Sequence, residues 1–123
     1  SEDRLAYTIQ RVKLLRRTGP EQRTEALNAL LALPIEYRRQ QRVVTEELAQ
    51  TYLSLERPDD AAEAWSAWFE NHPGDASAAA EAGLALVRAG ETDLAREYLQ
   101  LAQRIKPHDP KVQALGKAMS DER

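Results

Sequence analysis

The sequence predicts an all-α fold: an α-α superhelix of three helical hairpins, the first degenerate, plus a C-terminal capping helix. Three observations carry this expectation. Apolar residues recur at helical spacing in seven stretches, with no strand-like alternation anywhere. Proline or glycine falls at most of the junctions between those stretches. Two segments also superimpose at a spacing of 34 residues, with Pro107 on Pro73, Ala95 on Ala61 and Gly83 on Ala49. A period of that length marks stacked helical hairpins.

The first helix is expected from Asp3 to Arg17, with Leu5, Ile9, Val12 and Leu15 on one face. Gly19 and Pro20 stop it and open the next. A second helix follows from Glu21 to Leu33, carrying Ala26, Leu27, Leu30, Leu31 and Leu33, and Pro34 ends it. One long helix is then expected from Ile35 to Leu55. Its stripe is Val44, Leu48, Tyr52 and Leu55, and its polar start, Glu36 to Arg42, projects beyond the stack. Pro58 begins a fourth helix, with Asp59 and Asp60 in the first turn, where acids suit the helix dipole. It carries Ala61, Trp65, Trp68 and Phe69 and stops before Pro73.

A fifth helix from Ala76 to Ala89 is small-residue-rich on its packing side, and Gly90 closes it. A sixth, Thr92 to Ile105, presents Ala95, Tyr98, Leu99, Ala102 and Ile105. After the turn 106–110, a seventh helix from Pro110 to Met119 offers Val112, Leu115 and Met119, and the tail from Ser120 to Arg123 frays. No low-complexity linker divides the chain, so 1–123 is expected to form a single domain. Its parts are a degenerate hairpin (1–41), two repeats (42–75 and 76–109) and a capping helix (110–119), the kind of end a repeat array needs. Ser1 is read as a mature end or the edge of an excised segment, so the chain is also compatible with a fragment of a longer protein.

Composition narrows the function. The 123 residues are 42% hydrophobic and 30% charged, as in ordinary folded proteins, and no apolar run reaches the length of a membrane span. With no cysteine, disulfides, thiolate metal sites and Cys nucleophiles are excluded. Residues 1–57 carry +2 and residues 58–123 carry −5, for a net −3. That balance argues against broad nucleic-acid binding. No Ser or Thr nucleophile stands beside a His, and there is no Gly-rich phosphate loop and no HExxH. The chain is therefore read as no enzyme, with no cofactor and no metal.

Residues 42–109 resemble the tetratricopeptide repeat family. With units begun at Arg42 and Ala76, the family's small eighth residue is Ala49 and Gly83. Its twentieth-position alanine is Ala61 and Ala95, and its late proline is Pro73 and Pro107. Large residues stand where the family has them at Leu48, Tyr52 and Trp65, and at Leu86 and Leu99. Small residues on facing helices let backbones approach, so Ala49 is expected to meet Ala61, and Gly83 to meet Ala95. The pattern breaks at Trp68, where the family has alanine, and at Ala79 and Ala82, where it has larger residues. These breaks are read as one volume-conserving exchange, with Trp68 lying against Ala79 and Ala82. Gly19 resembles a hairpin turn, but Pro34 follows too soon, which makes 1–41 degenerate.

The resemblance implies a concave groove lined by the first helix of each hairpin. Its positions select Val43, Glu46, Glu47, Gln50, Leu53 and Ser54, then Ser77, Ala80, Glu81, Leu84, Val87 and Arg88. If Gly19 marks the degenerate turn, Ala6, Ile9, Gln10, Lys13, Arg16 and Arg17 join them. The expected partner-binding residues are Lys13, Arg16, Arg17, Glu46, Glu47, Gln50, Leu53, Glu81, Leu84, Val87 and Arg88. The Lys, Asn and Arg clamp with which some members hold chaperone tails is absent, because Glu46, Gln50 and Glu81 stand at matching positions. An amphipathic helix or extended peptide with a basic segment suits Glu46, Glu47 and Glu81 better. The bland alternative is that these acids only solvate a helix face.

Trp65, Trp68 and Phe69 could form an aromatic platform, but their spacing favours core. His72 and His108 read as solvent-exposed turn residues, without the converging ligands a metal needs. Arg16-Arg17 and Arg38-Arg39…Arg42 could touch phosphates, yet acids surround them and solvated faces or salt bridges suit them better. Paired acids at Asp59-Asp60 are explained by their place at a helix start. The sequence thus reads as a soluble, non-catalytic adaptor or scaffold with a protein or peptide partner, in a bacterial assembly or export complex of cytoplasm or periplasm. It leaves oligomeric state open. The alternative is an accessory domain of a larger enzyme or export machine that binds a polysaccharide through exposed Tyr37, Trp65 or Tyr98.

Overall fold

The computed structural model describes residues 2–122, so Ser1 and the end of the expected frayed tail, Arg123, lie outside the described residues. Eight helices form there: α1 (Glu2–Arg16), α2 (Pro20–Leu31), α3 (Ile35–Gln40), α4 (Arg42–Ser54), α5 (Pro58–Asn71), α6 (Ala76–Arg88), α7 (Thr92–Ile105) and α8 (Pro110–Asp121). There is no strand among the described residues. The chain forms two compact units that divide between Arg57 and Pro58.

In the first unit α1 and α2 form a hairpin, α4 packs against both, and α3 rests on α4. Ile9 and Val12 from α1, Ala26, Leu27 and Leu30 from α2, Leu33, and Val44, Leu48 and Ala49 from α4 are buried. Burying each of the larger side chains stabilises by roughly 1.5–3 kcal/mol. The single helix expected over Ile35–Leu55 is two helices. Gln41 is extended (φ −114°, ψ 103°) and separates α3 from α4. The cause is visible in the burial: α3 buries no residue at all. A polar run without an apolar stripe gains nothing from remaining in line with α4. The break frees α4 to turn Val44 and Leu48 inward.

The end of α4 is a left-handed cap. Glu56 has φ 58°, and the Arg57 amide donates back to the Tyr52 carbonyl at 2.9 Å. The Arg57 guanidinium then lies 4.9 Å from the centroid of the Tyr52 ring. The same turn recurs 34 residues later. Gly90 has φ 81°, and the Glu91 amide donates to the Leu86 carbonyl at 2.9 Å. Glycine enters this backbone region without the penalty a side chain brings.

The second unit is organised around α6, against which α5, α7 and α8 all pack, with α8 also meeting α7. Eight of the thirteen residues of α6 are buried, and seven of those are alanine or glycine. The atoms nearest to where a Gly83 side chain would begin belong to Leu115 of α8, which is fully buried. Of the three aromatics expected in the core, Trp65 and Trp68 of α5 are buried and Phe69 is half-buried; Ala79 and Ala82 are buried as well.

The turn from α5 to α6 is tied by Asp75. One carboxylate oxygen accepts the Ala78 amide at 3.0 Å and caps α6. The other accepts the Trp68 indole N–H at 2.9 Å. His72 stacks on Trp68, ring centroids 3.7 Å apart, and its Nδ1 lies 3.1 Å from the Trp68 carbonyl oxygen. His72 is therefore a half-buried part of this turn, not the solvent-exposed residue expected, whereas His108 is exposed. Asp109 is the 34-residue counterpart of Asp75 and caps α8 through the Lys111 amide at 2.8 Å.

Asp75→Ala is expected to cost about 2–4 kcal/mol, from a lost cap of about 1 kcal/mol and an orphaned indole of about 1–3. Asp109→Ala, which loses only a cap, is expected to cost about 1 kcal/mol. Urea unfolding compares them, and equal losses would remove the indole bond as a stabilising contact. Gly83→Ala is expected to destabilise by about 1–3 kcal/mol, despite alanine's better helix propensity, because Leu115 has nowhere to go. A higher melting temperature for that variant would contradict the packing account.

Candidate functional site

Two helix faces carry the residues expected to bind a partner. On α4, Glu46 and Leu53 are half-buried and Gln50 is exposed along one stripe. These residues fall within about 60° of one another around the helix, given 3.6 residues per turn. On α6, Leu84 and Val87 are half-buried and Arg88 is exposed, again on one face. Each face thus combines accessible apolar surface with one or two polar groups, the composition that suits a bound peptide or helix.

The charged residues beside these faces have other occupations. Glu47 is only 5% exposed. Its carboxylate accepts from the Arg16 guanidinium at 2.7 Å and lies 3.8 Å from the Lys13 ammonium. Arg16 also donates to the Thr51 hydroxyl at 3.3 Å, while that hydroxyl donates to the Glu47 carbonyl at 2.7 Å. This closed network joins α1 to α4. Arg11 and Glu25 similarly join α1 to α2 by an ion pair. On α6, the half-buried Glu81 carboxylate lies 3.5 Å from the Lys111 ammonium of α8. Of the residues chosen from sequence, the structure places Lys13, Arg16 and Glu47 together within the first unit. Arg17 is exposed at the end of α1.

An apolar cavity of about 180 Å³ lies in the second unit between α5, α6 and α7. Ala62, Leu86 and Leu94 line it together with Asp59 and Glu63. The Tyr98 hydroxyl closes one side, 2.6 Å from the Ser66 hydroxyl. Phe69 meets the Tyr98 ring edge-on at 6.3 Å. Sequence reasoning did not find the Ser66–Tyr98 pair, which carries no local signal. It also missed Asp75 and Asp109, although their 34-residue spacing and helix-start positions were there to be used. With Trp65 and Trp68 buried, neither offers a stacking platform for a sugar. No cluster of three metal-ligating side chains occurs among the described residues. No described helix is long and apolar enough to cross a membrane.

The paired caps, turns and prolines at 34-residue intervals match a known pattern, and the tetratricopeptide repeat family model matches residues 46–110, over half of the chain. The chain belongs to the tetratricopeptide repeat family. Such repeats generally mediate protein–protein interaction and are generally non-catalytic. No curated protein matches the chain in sequence. The tetratricopeptide match begins at Glu46, inside α4, and runs through the α5–α6 turn and the α6–α7 hairpin to Pro110. It leaves α1, α2 and α3 outside, in agreement with their irregular spacing.

The Glu47 network makes a stability prediction. Glu47→Ala leaves the largely buried Arg16 guanidinium with only a hydroxyl acceptor from the network, and is expected to cost about 2–4 kcal/mol. The double variant Arg16→Met with Glu47→Leu is expected to cost less than Glu47→Ala alone, because no charge is left uncompensated. Thermal unfolding of the three proteins decides it. A double variant as unstable as the single would mean that shape, not charge pairing, matters there.

Proposed function

We propose that this protein is a non-catalytic adaptor or scaffold that engages a peptide or helix of a partner protein, with one docking face on α4 in the first unit and a separate one on α6 in the second. The observation that carries this reading is the contrast between neighbouring residues on those helices. Glu47 and Glu81 are held in ion pairs within their own units, whereas Gln50 is exposed beside half-buried Leu53 on α4, and Leu84 and Val87 keep accessible apolar surface on α6. Apolar side chains of the partner would cover the leucines and Val87. Glu46, Gln50 and Arg88 would set orientation through polar contacts. Glu46 favours a basic partner residue near Leu53.

Lys13, Arg16, Glu47 and Glu81, although expected from sequence to touch the partner, act here as positioning residues that fix the helices presenting the binding faces. Arg17 remains accessible for a contact of its own. A sugar-binding role gains no support from two buried tryptophans.

Photo-crosslinking in the native cell tests the proposal. A benzoylphenylalanine at Gln50 or Arg88 is expected to trap a partner protein, and one at exposed Gln103 of α7 is not. Crosslinks from Gln103 alone would move binding to the second helices of the hairpins and overturn the assignment. Once a partner is trapped, Glu46→Lys combined with Leu53→Ala is expected to weaken its binding by at least tenfold, about 1.4 kcal/mol. Unaltered affinity would exclude the α4 face.

A further inference from the structure

The most exposed large apolar side chains of the molecule are Tyr7 and Leu14, at 69% and 66%. They stand seven residues apart on α1, two helical turns along one stripe. That stripe points away from Ile9 and Val12, the buried side of the helix. The exposed charged and amide residues around it are Asp3 and Arg4 near the start, Gln10, Arg11 and Lys13 in the middle, and Arg17 just past the end, with Arg4 on the same flank as Arg11. Tyr7, Gln10, Arg11, Lys13, Leu14 and Arg17 line an open depression of about 440 Å³. Two large apolar side chains this exposed on one helix face mark a surface suited to association.

The order of residues along this stripe is self-complementary. We propose that two copies of this chain associate through their α1 helices, packed antiparallel about a two-fold axis that passes between Gln10 and Arg11. In that arrangement Tyr7 of each copy meets Leu14 of the other, and the apolar pair is made twice. Acid at the start of α1 and base at its end then become partners across the interface. Asp3 of one copy comes within one residue of Arg17 of the other, on the same flank of the helix pair. Gln10 meets Gln10 beside the axis, where two amides can exchange hydrogen bonds.

Arg11 approaches its own symmetry copy on the opposite flank, which by itself would repel. Each Arg11 is already neutralised by Glu25 of its own α2. A parallel pairing would set Asp3 level with Asp3 and would separate Tyr7 from Leu14, so the apolar pair, made twice, and the Asp3–Arg17 contact select the antiparallel mode. An isologous contact of this kind closes at two copies, whereas a head-to-tail contact would extend into a filament. One helix pair buries less than the roughly 1,200 Å² of a standard stable interface, so the dimer is weak and forms only at high protein concentration.

Sedimentation equilibrium of the whole chain over a dilution series tests this. The expected result is a monomer at low concentration, a dimer at high concentration and no larger species. Leu14→Glu is expected to hold the protein monomeric throughout. Asp3→Lys and Arg17→Glu are each expected to weaken association by about threefold to tenfold, and the two together to restore it. The altered side chains are exposed, and circular dichroism is the check that each variant keeps its helices. A monomer at every concentration, species beyond a dimer, a dimer that survives Leu14→Glu, or a double variant no better than the singles would each overturn the proposal.

Discussion

The second unit depends on the loss of side-chain volume from α6. Three helices pack against α6, and they can do so because seven of its eight buried residues are alanine or glycine. Alanine retains the best helix propensity while adding a single methyl, so a helix built this way is both stable and narrow. Gly83 takes the principle to its limit, since even a methyl there would meet the fully buried Leu115. Close approach alone would leave gaps around so thin a helix. Large residues on its neighbours, Trp65 and Trp68 on α5 and Leu115 and Met119 on α8, are buried in the same unit and supply the volume. Interiors are packed near crystal density, so a small residue in one place requires a large one close by.

A large aromatic brings a polar atom with it, and the fold has to satisfy it. The indole N–H of Trp68 is answered by Asp75, which at the same time caps α6. A single carboxylate thereby fixes the rotamer of a core residue and the starting point of the next helix. The corresponding Asp109 performs only the second task. The difference follows directly from the exchange of alanine for tryptophan at position 68. His72 closes the arrangement by stacking on the same ring. The turn between α5 and α6 is thus more tightly specified than the one between α7 and α8, in which Lys106, the 34-residue counterpart of His72, is exposed.

Periodicity and turn chemistry made most of the helices legible. α7 runs over the residues predicted, and the other predicted ends lie within about two residues, because Pro20, Pro58, Gly90 and Pro110 act locally. The break at Gln41 was not legible. It depends on α3 having nothing to bury, and helix propensity alone favours continuing through a run such as Arg38-Arg39-Gln40-Gln41. The turn at Glu56 shows the same limit in reverse. Its 34-residue counterpart is Gly90, yet a glutamate adopts the left-handed conformation there, held by the Arg57 amide on the Tyr52 carbonyl. The repeat fixes the backbone, and the residue at that place need not advertise it.

The site was less legible than the fold, because pairing between distant residues leaves no local trace. Glu46 and Glu47 are adjacent in sequence and identical in chemistry. One further step of 100° around α4 turns Glu47 toward α1, where Arg16, thirty-one residues earlier in the chain, takes up its charge. Glu46, on the outward face, keeps access to solvent. A buried carboxylate with two cationic neighbours has no reason to leave them for a partner, since withdrawal would strand charge in the interior. The charges on these helices therefore divide into those that hold the helices in place and those that stay accessible. Glu81 falls with the former through Lys111, and Arg17 and Glu46 with the latter. The side a residue falls on is decided by the neighbouring helix, so family position alone selects both kinds without distinction.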